Sequence, residues 1–146
     1  MKITTWNVNS INARIEHLVK FIKKDKSDLY LLQELKCTNE MFPTDEIEKL
    51  NYKCNINGQK AWNGVAIISK ENIKVTNLKI PNYNDENSRF IEAEIKVNRL
   101  KNSIKLINIY LPNGNPIETK KFDYKIDWMK NFNNYVKKLI QEKNPI

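Results

Sequence analysis

The sequence predicts an α/β fold, and three observations carry that prediction. Residues 2–33 read as strand, amphipathic helix and strand, residues 52–111 read as a series of short strands, and the chain after Pro116 returns to helical periodicity. A chain of 146 residues is about one domain, so residues 1–146 are expected to form a single unit. With 40% hydrophobic and 29% charged residues the composition suits a globular protein. No apolar run reaches the roughly 18–20 residues that a membrane span needs.

The first strand, residues 2–7, alternates and ends at Asn7. Ser10 is an N-cap candidate for a helix whose apolar stripe is Ile11, Ile15, Leu18, Val19 and Ile22. A polar break at residues 23–28 leads into Leu29 to Gln33, an apolar run too short for a helix and suited to a buried strand ending at Glu34. A helix between two strands implies a βαβ unit with a parallel pair. Past Met41-Phe42-Pro43, Thr44 is placed to cap a short helix through Ile47 and Leu50.

Strands are then expected at residues 52–57, 64–69, 74–78, 89–97 and 103–111, as a mostly antiparallel meander broken by Asn, Gly, Pro and Asp. The last helix should bury Phe122, Ile126, Met129, Phe132, Val136, Leu139 and Ile140. Together these make one mixed sheet with covering helices. Val65 to Ile68 and Leu106 to Ile109 are apolar on both faces, and such strands require a second layer. Without one, Val65, Ile67, Ile91, Ala93 and Leu106 would face water and drive association with a partner or a second copy.

The balance of 25 Lys+Arg against 17 Asp+Glu gives a net charge of +8, which favours a polyanionic partner. The start of the chain has no apolar segment followed by a small-residue cleavage site, so a cytoplasmic location is expected. Cys37 and Cys54 are far apart, without histidine companions, and read as plain thiols rather than a zinc site or a disulfide.

Asn7 and Glu34 close two neighbouring strands at their carboxyl ends, where ligands collect in α/β sheets. Their oxygens suit a hard cation such as Mg²⁺. Asn7 has a second option, hydrogen bonding to Glu34 and a phosphate. Tyr110 ends an apolar strand and offers a phenol that is neutral at physiological pH, able to donate to a phosphate oxygen or a leaving group. Arg89 has a guanidinium fork suited to phosphate, with a surface ion pair as the alternative. Asn113 and Asn115 fit phosphate contacts or turn formation. Lys36, Lys121 and Lys125 can form a phosphate-facing rim, with Trp62 and Tyr83 as stacking surfaces. His17, the sole histidine, lies within the first helix and is excluded as the general base.

Several segments together resemble the exodeoxyribonuclease III branch of the endonuclease/exonuclease/phosphatase family. They are Thr5-Trp6-Asn7-Val8-Asn9-Ser10-Ile11, Leu32-Gln33-Glu34-Leu35-Lys36-Cys37, the stretch from Gly58 to Ile67, Tyr110-Leu111-Pro112-Asn113-Gly114-Asn115-Pro116, and Lys121-Phe122-Asp123-Tyr124-Lys125. The resemblance implies a DNase I-like four-layer α/β sandwich and Mg-dependent (or Mn-dependent) hydrolysis of DNA phosphodiesters. The implied substrate is duplex DNA with abasic or 3′-blocked sites. Carried over residue by residue, Glu34 and Asn7 fall at the metal site, Tyr110 at a catalytic position, and Arg89, Asn113, Asn115 and Lys121 at substrate contacts.

The resemblance covers the family's N-terminal half. The later motifs, a Gly-Asp-x-Asn, a further Asp and a terminal Asp-His pair, have no counterpart in the chain. An incomplete nuclease is therefore expected, or alternatively an inactive fragment, one half of a split enzyme complemented by a C-terminal chain, or a DNA-binding module. A phosphatase of the wider family is disfavoured by the Tyr110 to Pro116 and Lys121 to Lys125 segments.

Overall fold

The computed structural model describes residues 1–97, 103–142 and 146. The first half of the chain runs β1 (Ile3–Asn7), α1 (Ile11–Asp25), β2 (Leu29–Gln33), α2 (Thr44–Glu48), β3 (Lys53–Asn57) and β4 (Val65–Ser69). The second half adds β5 (Lys74–Asn77), β6 (Phe90–Ile95), β7 (Ile104–Ile109) and α3 (Lys120–Gln141). Each expected helix and strand is present within a few residues of its expected limits. β1 and β2 pair in parallel, from Ile3 opposite Leu29 to Asn7 opposite Gln33, so Asn7 and Glu34 emerge at the same sheet end. The remaining ladders are antiparallel.

The expected single sheet divides in two. β1-β2-β4-β3 form one sheet and β5-β6-β7 the other. The apolar faces predicted to need a second layer cover one another. Val65, Ile67, Ile91 and Ala93 are fully buried and Leu106 is 8% exposed, so the exposed sheet face, and self-association through it, is overturned. The reason is that β5 to β7 turn back over the first sheet instead of extending it. Leu29, Leu31, Ile95, Ile104 and Tyr110 complete that inter-sheet core.

The outer face of the first sheet buries Tyr30, Leu32, Ala66 and Ile68 against Ile11, Leu18 and Ile22 of α1 and Ile47 of α2. The outer face of the second sheet packs Phe90, Ile107 and Ile109 against α3. Four layers, helix, sheet, sheet, helix, therefore arise within this chain.

Three local expectations need correction. Ser10 holds the N-cap position of α1 but makes no side-chain cap, its backbone being at φ 80°. The helix start is tied instead by backbone bonds, Ser10 N–H to Glu34 C=O at 2.8 Å and Ile11 N–H to Leu35 C=O at 3.0 Å. At α2 the cap position falls on Pro43, and Thr44 is the first helical residue with its hydroxyl turned back to the Phe42 carbonyl.

On α3 the buried face is rotated from the expected stripe. Trp128 and Leu139 are buried, Tyr124, Phe132 and Tyr135 pack beside them, and Met129 and Ile140 are exposed. The aromatic residues win because their polar tips reach buried carboxylates. Tyr124 Oη and Trp128 Nε1 donate to Asp85 at 2.8 and 3.1 Å, and Tyr135 donates to Glu92. Both cysteines are free, and burial pushes their thiols up to about 11 for Cys37 and about 12 for Cys54, which disfavours the thiolate at neutral pH. Among the described residues, no helix is long and apolar enough to cross a membrane.

Candidate active site

A cleft of about 460 Å³ opens where β2 and β7 end, bounded by Glu34, Lys36, Trp62, Arg89, Tyr110, Asn113, Asn115, Lys121 and Tyr124. Asn7 joins it from the end of β1 by donating from Nδ2 to Glu34 Oε1 at 2.7 Å. The amide oxygen of Asn7 is turned away, accepting from the Asn9 N–H at 3.1 Å. Asn7 thus orients the carboxylate. Lys36 Nζ lies 3.2 Å from Glu34 Oε2 and donates to Asn9 Oδ1 at 2.5 Å, so a cation already sits against the carboxylate's second oxygen.

Backbone geometry presents these side chains. Glu34 and Lys36 both have φ 56°, a left-handed conformation that turns the chain sharply out of β2. Gly64, at φ +86°, closes the turn before β4, and a Cβ there would lie 2.9 Å from Leu35 Cβ. Gly114, at φ +73°, lets the loop after β7 lie against Lys125, whose Nζ donates to Asn113 C=O at 3.2 Å.

Partial burial works against a charge on Glu34. The Asn7 amide, the nearby Tyr110 hydroxyl and the Lys36 ammonium outweigh it, holding the carboxyl below its ordinary range. Burial, reinforced by the facing Glu34 carboxylate, raises the Tyr110 phenol, which therefore keeps its proton at neutral pH and can donate it in a hydrogen bond. The Arg89 guanidinium lies 4.9 Å from the Tyr110 ring centroid and 5.8 Å from that of Tyr124. Its Nη1 donates to the Tyr110 carbonyl at 3.1 Å, while its buried Nε has no partner among the described residues. Among the described residues it forms no ion pair, so the expected alternative role for Arg89 is not the one adopted.

The model of the endonuclease/exonuclease/phosphatase family matches residues 4–142. The chain belongs to this family. Exodeoxyribonuclease III of Haemophilus influenzae is 32% identical over the whole chain, which covers 55% of that protein. The DNA repair nuclease APEX1 of Danio rerio is 28% identical over 93% of the chain and 44% of its own length. An AP endonuclease from Archaeoglobus fulgidus superimposes with a TM-score of 0.86 at 33% identity, covering 94% of this chain and 51% of that one. A Neisseria 3′ phosphatase, solved bound to product DNA hairpin, gives 0.82 at 32% identity, with 97% and 53% covered. The chain thus spans about half the length of these relatives, and its fold is DNase I-like.

Within this family member, the sequence-derived residues Glu34, Tyr110, Arg89, Asn113, Asn115 and Lys121 share one cleft, with Asn7 beside it. Trp62 stands at its rim, 70% exposed. Tyr83 does not join it: it packs under α3 with Ile80 and Trp128. His17 is exposed on α1 and is not among the residues lining the cleft.

Sequence reasoning missed the amide floor. Asn63 Nδ2 donates to Gln59 Oε1 at 2.8 Å and to Asn87 Oδ1 at 3.1 Å, and Asn87 in turn donates to Asp85 at 3.0 Å. The Asp85-Glu86-Asn87-Ser88 run directly before Arg89 was the available signal, and it reads locally as an ordinary loop.

The donor set fits a divalent cation modestly. Mg²⁺ commonly takes one or two carboxylates and keeps several waters, and among the described residues Glu34 is the one carboxylate lining the cleft. Among the described residues no group of three or more His, Cys, Asp or Glu converges on one point.

Proposed function

We propose that this chain carries the DNA-binding and part of the metal-binding surface of a DNA repair nuclease of exodeoxyribonuclease III type, acting on duplex DNA at abasic or 3′-blocked sites. The observation that carries the proposal is the convergence of Glu34, Tyr110, Arg89, Asn113, Asn115 and Lys121 on one cleft. Similarity to an exodeoxyribonuclease III, a DNA repair nuclease and an AP endonuclease supports it.

Glu34, oriented by Asn7, would hold Mg²⁺ or Mn²⁺, which when bound supplies Lewis-acid stabilisation of a phosphoryl oxygen. Arg89 with its guanidinium and Lys121 with its ammonium line the cleft and would meet phosphate oxygens there. The Tyr110 hydroxyl donates toward the oxygen that leaves when water displaces it from phosphorus. Asn113 and Asn115 shape the loop, Asn115 Nδ2 donating to Asn113 Oδ1 at 3.0 Å and leaving Asn115 Oδ1 and the second amide proton for a substrate.

What the cleft lacks among the described residues is a base for the attacking water. Its phenols are held protonated, and Glu34 is committed to Asn7 and Lys36. Cooperating catalytic groups are strongly non-additive, so loss of one part removes most of the rate. This favours the reading of an incomplete nuclease, inactive alone or complemented by a second chain.

The test uses a fluorescent duplex bearing a stable abasic analogue. The expected result is salt-sensitive binding, weakened by Arg89→Ala and Lys121→Ala, with no Mg²⁺-dependent incision. Incision abolished by Glu34→Ala would overturn the incompleteness, and equal binding by the wild type and the double variant would overturn the cleft as the DNA surface.

A further inference from the structure

Residues facing the space between the sheets are Leu29, Leu31 and Gln33 on β2, and Ile104, Leu106, Asn108 and Tyr110 along β7. Up to Leu31 and Leu106 this layer is apolar, and apolar contact is non-directional, so it fixes the burial of the sheets better than their relative position. At its last step before the cleft the layer changes chemistry. Gln33 Nε2 donates to Asn108 Oδ1 at 2.7 Å, with Asn108 only 2% exposed.

Asn108 Nδ2 then donates to two backbone carbonyls, Leu32 and Ala66, both at 2.9 Å. Those residues are direct partners in the β2–β4 ladder, so one side chain from the second sheet grips two strands of the first. Gln33 Nε2 also lies 3.0 Å from Thr5 Oγ1, which brings in β1. Hydrogen bonds have preferred distances and angles, and a satisfied buried network rigidifies what it joins.

We infer that Gln33 and Asn108 are positioning residues, whose partly buried amide contact fixes the two sheets at the cleft end and so sets Tyr110 opposite Glu34. Gln33 directly precedes Glu34, and Asn108 stands two residues before Tyr110. Each cleft residue therefore leaves its sheet within two residues of the clamp. An apolar pair of similar volume would fill the space without desolvating two amides, so packing alone does not call for polar groups here.

The inference rests on the reading of Glu34 as a metal ligand, and the test separates the two. In the metal-free chain, the nuclear Overhauser effect between the Tyr110 ring and the Glu34 side chain is measured, together with Mn²⁺ affinity by electron paramagnetic resonance. Gln33→Met and Asn108→Leu are expected to abolish the Overhauser effect and to weaken Mn²⁺ binding by about tenfold, the scale typical of residues that orient metal ligands. The exchange Gln33→Asn with Asn108→Gln, which keeps an amide pair of the same combined length, restores both.

An Overhauser effect and an affinity unchanged in the single variants, with only the melting temperature lowered, would show a merely structural pair and overturn the inference. If the single variants do not fold, the exchange variant decides: a Tyr110–Glu34 Overhauser effect of wild-type strength supports the clamp, and its disappearance overturns it. Wild-type Mn²⁺ binding that is absent, or indifferent to Glu34→Gln, sinks the metal reading, and the Overhauser effect then judges the clamp alone.

Discussion

Glu34 owes its place to a backbone that few residues adopt willingly. Its φ of 56°, repeated at Lys36, costs about 1 kcal/mol or more for a non-glycine residue, and is held by Leu35 N–H to Gly64 C=O and Lys36 N–H to Asn63 C=O. Gly64 is the glycine that this arrangement needs. Gly64→Ala should destabilise the fold by about 2–4 kcal/mol, combining a left-handed alanine with a close approach to buried Leu35, as a urea titration would measure. Lys36→Met should leave Mn²⁺ binding intact or strengthened, because the ammonium competes for Glu34 Oε2. Titration by electron paramagnetic resonance checks it, and a loss of affinity would assign Lys36 a supporting role instead.

At the scale of elements, α3 is held to the second sheet by aromatic side chains with polar tips. Trp128→Phe keeps an aromatic side chain but removes the donor to Asp85 and leaves part of the indole's buried volume empty, and should cost at least about 1–3 kcal/mol in thermal or urea unfolding. Glu92, fully buried on β6, accepts from Thr76 Oγ1 at 2.5 Å, Asn77 Nδ2 at 2.9 Å and Tyr135, with Lys105 Nζ at 3.6 Å. Burial penalises its charge, but these donors and Lys105 outweigh it and hold the carboxyl below the usual range.

A carboxyl lowered by folding contributes stability that is present above its unfolded value of about 4.3 and is lost as pH falls through the lower folded value. Unfolding of the wild type and of Glu92→Gln, compared from pH 7 down to pH 3, should therefore show a gap that is wide at neutral pH and narrows in acid. A gap constant with pH would mean that the carboxylate's charge plays no part.

The same element shows where sequence reasoning succeeds and where it does not. Helix limits follow from local rules, and the Thr119 cap onto Phe122 N–H at 3.4 Å is of that kind. Which face turns inward was decided by Asp85 and Glu92, each 43 positions before the aromatic residue it holds, Trp128 and Tyr135, and no local pattern announces their burial. Strand ends likewise placed Asn7, Glu34 and Tyr110, because periodicity reports where a strand stops. The amides of Gln33, Asn63, Asn87 and Asn108 were invisible as a group, since their partners come from separate strands and loops.

For the molecule as a whole, two sheets that bury each other's apolar faces predict a monomer with one cooperative unfolding transition. Sedimentation equilibrium and calorimetry check this, and concentration-dependent association would point to surfaces other than the inter-sheet face. If the cleft binds DNA as proposed, the net charge of +8 should make that binding weaken steeply with salt. Lys121→Ala should lower the slope of log affinity against log salt by about 1 if the ammonium meets a phosphate, and leave it unchanged if it does not.

The order in which the layers occur along the chain has a consequence for biosynthesis. The first sheet and its helices are complete by Ser69, the second sheet lies between Lys74 and Ile109, and α3 comes last. A nascent chain can thus assemble one helix-backed sheet while the rest is still being translated, and then carries bare Val65 and Ile67 until β6 and β7 arrive. Chaperone capture should peak in that interval and subside once β7 leaves the ribosome, a time course that site-specific crosslinking of stalled chains would resolve.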